Sequence, residues 1–248
     1  MRFNWVCECA VDFSCVRSTR LSLLTFVNRE DILDFANTVK AVNTHRHLHC
    51  CVVLDVSLFL CSGACDLTLD PNTANTRLML SDENRKITRV KDLQPYPDHP
   101  ERFDDAPQVL CVERLTGRCY WEAEWSGDKA AISVSYKGIN RKGGWRDCEF
   151  GFNDKSWSLW CSDNRFTVRH NNNYTDIPAV RSSSNRAGVY LDVSAGSLSF
   201  YSVSDTHTLT HLHTLTHLHT FNTTFTEPLC AGFKVYNNSS VSLCDIKR

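Results

Sequence analysis

Charge of one sign is not in excess: 27 Lys and Arg offset 28 Asp and Glu across 248 residues, a formal net charge of −1. That removes the simplest case for a nucleic-acid binder, a strongly basic chain able to neutralise many phosphates. Long apolar runs are lacking as well. A membrane-spanning helix needs about 18–20 consecutive apolar residues. The longest candidate, Cys50 to Cys61, is shorter and carries Asp55. Glu8 and Asp12 interrupt the stretch where a secretory signal would place its apolar centre, so a soluble chain without a leader is expected.

Catalytic signatures are missing too. The chain has no G-x-S-x-G elbow, no G-x-x-x-x-G-K-[ST] phosphate loop, no G-x-G-x-x-G and no H-E-x-x-H. Ser, His and Asp are abundant, but no spacing pairs a nucleophile with its base. Glu122 and Glu124 share one face of a strand-like segment. Acid–base work would also need a cleft that separates their pKa values, and two glutamates on the solvent side of a half-buried strand are the plainer reading. No enzyme is expected.

Cysteine is plentiful: thirteen, with Cys7, Cys9, Cys15, Cys50, Cys51, Cys61 and Cys65 in the first 65 residues. A secreted disulfide framework normally uses an even count in a short chain. Cys119 and Cys161, on alternating apolar positions, read as small buried hydrophobes. A reducing, cytoplasmic setting follows. Sequons at Asn173, Asn222, Asn237 and Asn238 pull toward secretion, but without a leader they read as chance in an Asn/Thr/Ser-rich sequence. The groups Cys7-x-Cys9, His45-x-His47-x-His49-Cys50-Cys51 and Cys61-x3-Cys65 match none of the strong C-x2-C zinc spacings, so no metal is expected.

The chain divides near residue 65. Before it, Leu21 to Val42 holds a partial amphipathic-helix pattern, and Cys50 to Leu60 fits either a strand or a short buried helix. From Asp66 onward, period-two runs are separated by turn residues. Trp121, Ala123 and Trp125 alternate with Glu122 and Glu124. Ala130, Ile132, Val134 and Tyr136 share a side, as do Trp157, Leu159 and Cys161, leaving Trp160 on the other. Val189, Leu191 and Val193 precede the Ser194-Ala195-Gly196 turn, and Leu198 and Phe200 follow it. This spacing predicts an all-β antiparallel sandwich or barrel. Thr208 to His219 is an exact tandem copy, TLTHLHTLTHLH. Its histidines, with His207, invite a metal reading, but duplication inside a surface loop or hairpin leaves the same trace.

These residues resemble the PRY-SPRY (B30.2) family over Asp66 to Arg248. The PRY-like segment is DLTLDPNTANTRLMLSDENRKITRV, Asp66 to Val90, with Leu69-Asp70-Pro71, followed by YPDHPERFDDAPQVLC, Tyr96 to Cys111. The SPRY-like part begins at GRCYWEAEW, Gly117 to Trp125, and continues through Ser156 to Pro178 and Arg186 to Val203. Leu191-Asp192-Val193-Ser194 departs from the family's L-D-Y-E-type block at Ser194, and the His-rich copy lengthens a late loop. The expected organisation is an N-terminal extension over 1–65 and a PRY-SPRY domain over 66–248, PRY to about 115 and SPRY from about 116.

The resemblance implies a bent antiparallel β-sandwich without catalytic activity or cofactor, which recognises another protein through variable loops at one end. Such domains end tripartite-motif ubiquitin ligases, butyrophilins, fish NLR-type immune receptors and stonustoxin-like proteins, and the PRY segment looks most like the fish versions. No RING pattern, coiled-coil heptad or nucleotide-binding loop accompanies it here, so ligase activity is not carried over. The expected partner is a protein, in an innate-immune or ubiquitin-ligase-type assembly. Trp160 falls where the family often places an aromatic contact, and the loops Tyr136–Trp145, Ser162–Tyr174 and Lys234–Ser239 match three variable loops. The expected binding residues are Trp160, Lys137, Asn140, Arg141, Lys142, Trp145, Ser162, Asn164, Arg165, Tyr236 and Asn237. Two alternatives stand beside this: a secreted stonustoxin-like subunit, and a metal-binding protein using the N-terminal Cys/His groups.

Overall fold

The structure, a computed structural model of the chain, describes residues 63–162, 165–178, 185–205 and 213–246. The expected helix within Leu21–Val42, the Cys50–Leu60 segment and the N-terminal Cys/His groups up to Cys61 lie outside the described residues, as do His207 and His211.

Alternation of large apolar residues produces thirteen described strands in two sheets. One sheet holds β1 (Leu78–Ser81), β2 (Lys86–Arg89), β4 (Arg118–Ser126), β9 (Arg186–Asp192), β10 (Ser197–Asp205), β11 (His213–Asn222) and β13 (Ser240–Leu243), ordered β1-β2-β13-β4-β9-β10-β11. The other holds β3 (Gln108–Leu110), β5 (Lys129–Tyr136), β6 (Ser156–Ser162), β7 (Arg165–His170), β8 (Asn173–Ile177) and β12 (Leu229–Val235), ordered β3-β12-β5-β6-β7-β8. Every strand pairing is antiparallel. The all-β sandwich read from the sequence is the fold.

One face of each sheet builds the main core. Trp121, Ala123 and Trp125 of β4, Val189 and Leu191 of β9, and Leu198 and Phe200 of β10 meet Ile132 and Val134 of β5, Trp157 and Leu159 of β6, and Phe233 of β12. Burying each large side chain contributes about 1.5–3 kcal/mol. Trp125 and Phe166 meet edge to face at 6.0 Å, and Tyr136 and Trp157 at 5.3 Å, an arrangement that suits the ring quadrupoles. The outer face of the six-stranded sheet is apolar in part as well. Leu110 and Cys230 join Phe103, Ile139 and Phe150 in a second, smaller cluster.

Two expectations need correction. Glu122 is not a solvent-facing strand residue: it is 3% exposed, accepts a 2.6 Å hydrogen bond from Tyr120 Oη and lies 2.5 Å from Arg186 Nη2. The cause is Gly188, its register partner on β9. The Tyr120 ring lies over that glycine, where a Cβ would stand 2.7 Å from the phenol oxygen, and so reaches the carboxylate. The tandem repeat, likewise, is not purely a loop. Its second copy, Thr214 to His219, lies within β11 and pairs with β10, Leu215 opposite Val203. Buried Leu218 and a bulge at Phe200/Tyr201 fix that edge strand's register. Among the described residues no group of three or more His, Cys, Asp or Glu is arranged to hold a metal ion.

Ser194, the departure noted in the sequence, has a structural role. Its Oγ donates to Asp192 Oδ1 at 2.7 Å, beside the Ala195 N–H at 2.9 Å, while Arg118 Nε reaches Oδ2 at 3.1 Å. Burial raises the Asp192 pKa, but these donors together outweigh it and hold the carboxyl below its ordinary value.

Candidate protein-binding face

The outer face of the six-stranded sheet carries small side chains at its centre and aromatics and cations around them. Alternation sends Ala131 and Ser133 of β5, Ser158 and Trp160 of β6, and Thr167 and Arg169 of β7 away from the core. In register, Trp160 stands between Ala131 and Thr167, so one neighbour is small enough to leave room for the indole. Ser133 Oγ donates to Ser158 Oγ at 2.8 Å, so these two buried hydroxyls partner each other.

The segment from α1 (Trp145–Cys148) to Asn153 lies across this face. Two glycines permit the close approach. Gly151, at φ +87°, sits where a Cβ would be 2.7 Å from Arg169 Cβ, and Gly232 leaves space for the Phe150 ring. Polar bonds hold the segment down: Gln108 Nε2 donates to the Cys148 carbonyl at 2.6 Å, and the Gly151 N–H donates to Ser156 Oγ at 2.8 Å. Asn153 Nδ2 donates to the carbonyls of Asp147 and Glu149, closing the end of the short helix.

The result is a line of rings. Trp145 meets Phe152 at 4.9 Å, Phe152 meets Trp160 at 5.6 Å, and Trp160 meets Tyr236 at 5.6 Å. Cations intercalate along it. Lys129 Nζ lies 4.2 Å and Arg169 Cζ 4.1 Å from the centre of the Trp160 ring, within the range where the ring quadrupole attracts a cation. Lys129 and Lys234 both approach Tyr236, and Arg169 also reaches Phe152 and exposed Tyr174. Lys234 is buried and ion-paired with buried Glu149, and Tyr236 Oη donates to the same carboxylate at 3.4 Å.

Electrostatics follow from this crowding. Burial lowers the Lys129 pKa and neighbouring Arg169 lowers it further, with Glu149 opposing. Burial also lowers that of Lys234, against the pull of Glu149. The Tyr236 phenol is pushed up by burial and by Glu149. Glu149 thus pairs with Lys234 and is felt by Lys129, with Arg169 as a third cation beside them. Such a face can stack on apolar or planar groups and can neutralise negative charge. Among the described residues it holds no nucleophile–base pair.

The expected binding residues divide between two places. Trp160 does point away from the core, yet it is only 8% exposed beneath Phe152, Tyr236 and the flanking cations. Trp145 is 48% exposed at the far end of the ring line, and Tyr236 is half-buried. Ser162 is half-buried opposite Lys129, next to exposed Arg165. Asn237 is exposed at the tip before β13, and Asn164 lies outside the described residues. Lys137, Asn140 and Lys142 are exposed elsewhere: Lys137 follows Tyr136, at the opposite end of β5 from Lys129. At about 3.4 Å per residue the two ends stand roughly 24 Å apart. Lys142 lies 3.8 Å from Asp104.

Arg141 is not the solvent-facing loop cation expected. It is 9% exposed, stacks over Phe103 at 4.7 Å and donates to the Lys137, Ile139 and Glu101 carbonyls and the Glu101 carboxylate. A planar guanidinium with five donors suits this carbonyl-rich seat. Conversely, Lys129, Glu149, Phe152 and Arg169 were not singled out from the sequence, and Tyr174 and Lys234 only as loop boundaries. Alternation contained part of the signal, since Lys129 and Arg169 occupy the parity of outward-facing Ala131 and Thr167 on their own strands.

A family model described as the SPRY-associated domain, PRY, matches residues 67–115, and one described as the SPRY domain matches residues 118–247. Stonustoxin subunit beta of Synanceia horrida is 41% identical over 172 residues, covering 69% of this chain and 23% of that protein. Tripartite motif-containing protein 16 of Mus musculus is 39% identical over 173 residues, covering 68% and 29%. The chain thus spans about a quarter of the length of these relatives. Among solved structures, the PSpry domain of TRIM65 superposes with a TM-score of 0.66 at 26% identity, covering 77% of this chain and 96% of that one. The stonustoxin structure gives 0.64 at 41% identity, covering 73% and 27%. With both family models matched in order on a two-sheet antiparallel sandwich, the chain belongs to the PRY-SPRY family.

Proposed function

We propose that this chain is a non-catalytic protein-recognition module whose partner docks on the outer face of the six-stranded sheet, along the line Trp145–Phe152–Trp160–Tyr236 and the adjoining Tyr174. The observation that carries this reading is the concentration of aromatics there, with Trp145 48% and Tyr174 64% exposed. Exposed Trp and Tyr are the anchors that dominate protein interfaces. The face takes in the Ser162–Tyr174 and Lys234–Ser239 loops, while Lys137, Asn140 and Lys142 form the rim of a separate end. Among the described residues Cys111, Cys119, Cys148, Cys161, Cys230 and Cys244 stand outside any disulfide, which favours a cytoplasmic setting. There the module would supply the recognition arm of an innate-immune or ubiquitin-ligase-type assembly, as the likeness to tripartite-motif proteins suggests.

The test is capture from cytosolic extract by the full chain, against a Trp145→Ala/Tyr174→Ala variant with unchanged thermal unfolding. A protein retained by the first and lost by the second supports the face. Equal capture by both overturns it.

A second reading, a secreted toxin-type subunit, draws on the 41% identity to the stonustoxin subunit and on exposed sequons at Asn173, Asn222, Asn237 and Asn238. It requires glycans at those positions in protein from its native source, and mass spectrometry showing them unmodified removes it.

A further inference from the structure

We propose that the partner presents acidic side chains to this face, with an Asp or Glu carboxylate seated between Lys129 and Arg169 beside the Trp160 indole. The proposal rests on the reading of that face as the docking surface and adds the chemistry of what docks. Three cations, Lys129, Arg169 and Lys234, surround Trp160 and Tyr236, and the only acid within ion-pair reach of any of them among the described residues is Glu149, taken by Lys234. Lys129 and Arg169 make no ion pair with a described carboxylate; the two like charges repel each other, and it is contacts with aromatic rings that offset their crowding.

A second, independent observation points the same way. Two buried donors on this face, Trp160 Nε1 and Arg169 Nε, have no acceptor among the described residues. Trp160 is itself more than nine-tenths buried. Buried N–H groups normally have a partner, and leaving one unmet costs about 1–3 kcal/mol. Orphan donors next to unneutralised cations call for an acceptor that carries negative charge. A carboxylate supplies two oxygens in the plane that a guanidinium fork matches.

A polypeptide source is favoured over a small phosphate anion by what surrounds the seat. Tyr174 and Trp145 extend the surface with apolar area that a free anion would not use. β8 is the outermost strand of its sheet, mostly exposed from Asn173 to Asp176, with its outer backbone edge facing away from β7. An incoming extended segment can run along this margin while an acidic residue reaches Arg169. The whole chain carries a net charge of only −1, so the positive field is local to this face and selects where an acidic segment lands.

Selection of a random peptide display library on the full chain tests this, run in parallel on a Lys129→Gln/Arg169→Gln variant and on an Arg169→Lys variant. Both replaced side chains are partly exposed, and thermal unfolding verifies that each variant folds. The expected result is enrichment of peptides rich in Asp and Glu on the native chain. A synthesised winner should weaken about tenfold or more on the double neutral variant, partly recover on Arg169→Lys, and lose affinity with added salt. Replacing its acidic residues by Asn and Gln should have the same effect as the double variant.

Enriched peptides without acidic bias, or undiminished binding to the double variant, overturn the proposal. Titration with inorganic phosphate, followed by tryptophan fluorescence, separates the other anion source: saturable phosphate binding lost in the double variant, with no acidic peptide selected, also overturns it. Loss of partner capture with Trp145→Ala/Tyr174→Ala but full capture with the charge-neutral variant would leave the docking face standing and reject the acidic partner alone.

Discussion

Glu149 holds together the base of the cationic face. Its carboxylate pairs with Lys234, and both groups are more than nine-tenths buried. Removing one member of a buried pair costs more than the pair contributed, because the remaining charge stays desolvated. Glu149→Gln should therefore destabilise the protein by about 3 kcal/mol near neutral pH. The pH dependence identifies the cause. Burial already lowers the Lys234 pKa against the pull of Glu149, and the variant lowers it further. Between the folded and unfolded values the unfolded chain then binds the extra proton, so stability rises with pH. Urea unfolding of the variant should show its deficit shrinking from neutral pH toward about pH 10, near the ordinary lysine value. A deficit independent of pH would assign the loss to packing instead. Arg141 teaches the complementary lesson about single residues. In the sequence it stands among Lys137 and Lys142 as one more loop cation, and only the folded chain reveals the three carbonyls that it bonds. Charge type is legible in a sequence, whereas which cation is buried depends on contacts with Glu101 and Phe103, some forty residues earlier in the chain.

At the scale of elements, β4, β5, β6, β9 and β10 were legible because one face of each is apolar at strict period two. A one-residue slip would move the whole apolar set to the wrong side. The family blocks made the remainder of the sandwich legible. The outer face was not, for a physical reason. Its covering segment, Trp145–Asn153, has no period of its own and is placed by tertiary fit: glycine at Gly151 and Gly232, serine at Ser133, Ser156 and Ser158, and Gln108 reaching up from β3. This makes Gly151 the most sensitive backbone position of the binding face. A side chain there meets Arg169 Cβ at 2.7 Å and must also hold φ at +87°. Gly151→Ala should cost about 1–3 kcal/mol. Because Phe152 and Arg169 both contact Trp160, the same change should make Trp160 more accessible to solvent. Acrylamide quenching of tryptophan emission, alongside urea unfolding, reads both effects. Unchanged quenching and stability together would mean that the segment does not press on the sheet.

At the scale of the whole molecule, the order of the seven-stranded sheet makes the PRY and SPRY parts one cooperative body. β1 and β2 come early in the chain and β4 opens the SPRY part, but β2 and β4 do not pair with each other. β13, formed by Ser240–Leu243 near the end of the chain, lies between them, with Val241 opposite Ile87 on one side and Trp125 on the other. All three side chains are buried in the main core. A strand that closes two pairings at once transmits its own loss to both. Val241→Ala removes two methyl equivalents and leaves a small cavity, a cost of about 2 kcal/mol. If β13 is the shared seam, hydrogen exchange at the Ile87 amide of β2 and tryptophan fluorescence from the SPRY side should report the same lowered stability, in a single transition. Separate midpoints, with β1–β2 protected while the Trp125 region unfolds, would instead make the PRY strands an independent unit. Coincidence matters for function as well, because β12 runs directly into β13 through Tyr236–Ser239. The loop that brings Tyr236 to the Trp160 face is thus anchored by the strand that joins the two parts, and loosening that seam should weaken partner capture even though Val241 lies in the core, away from the docking face.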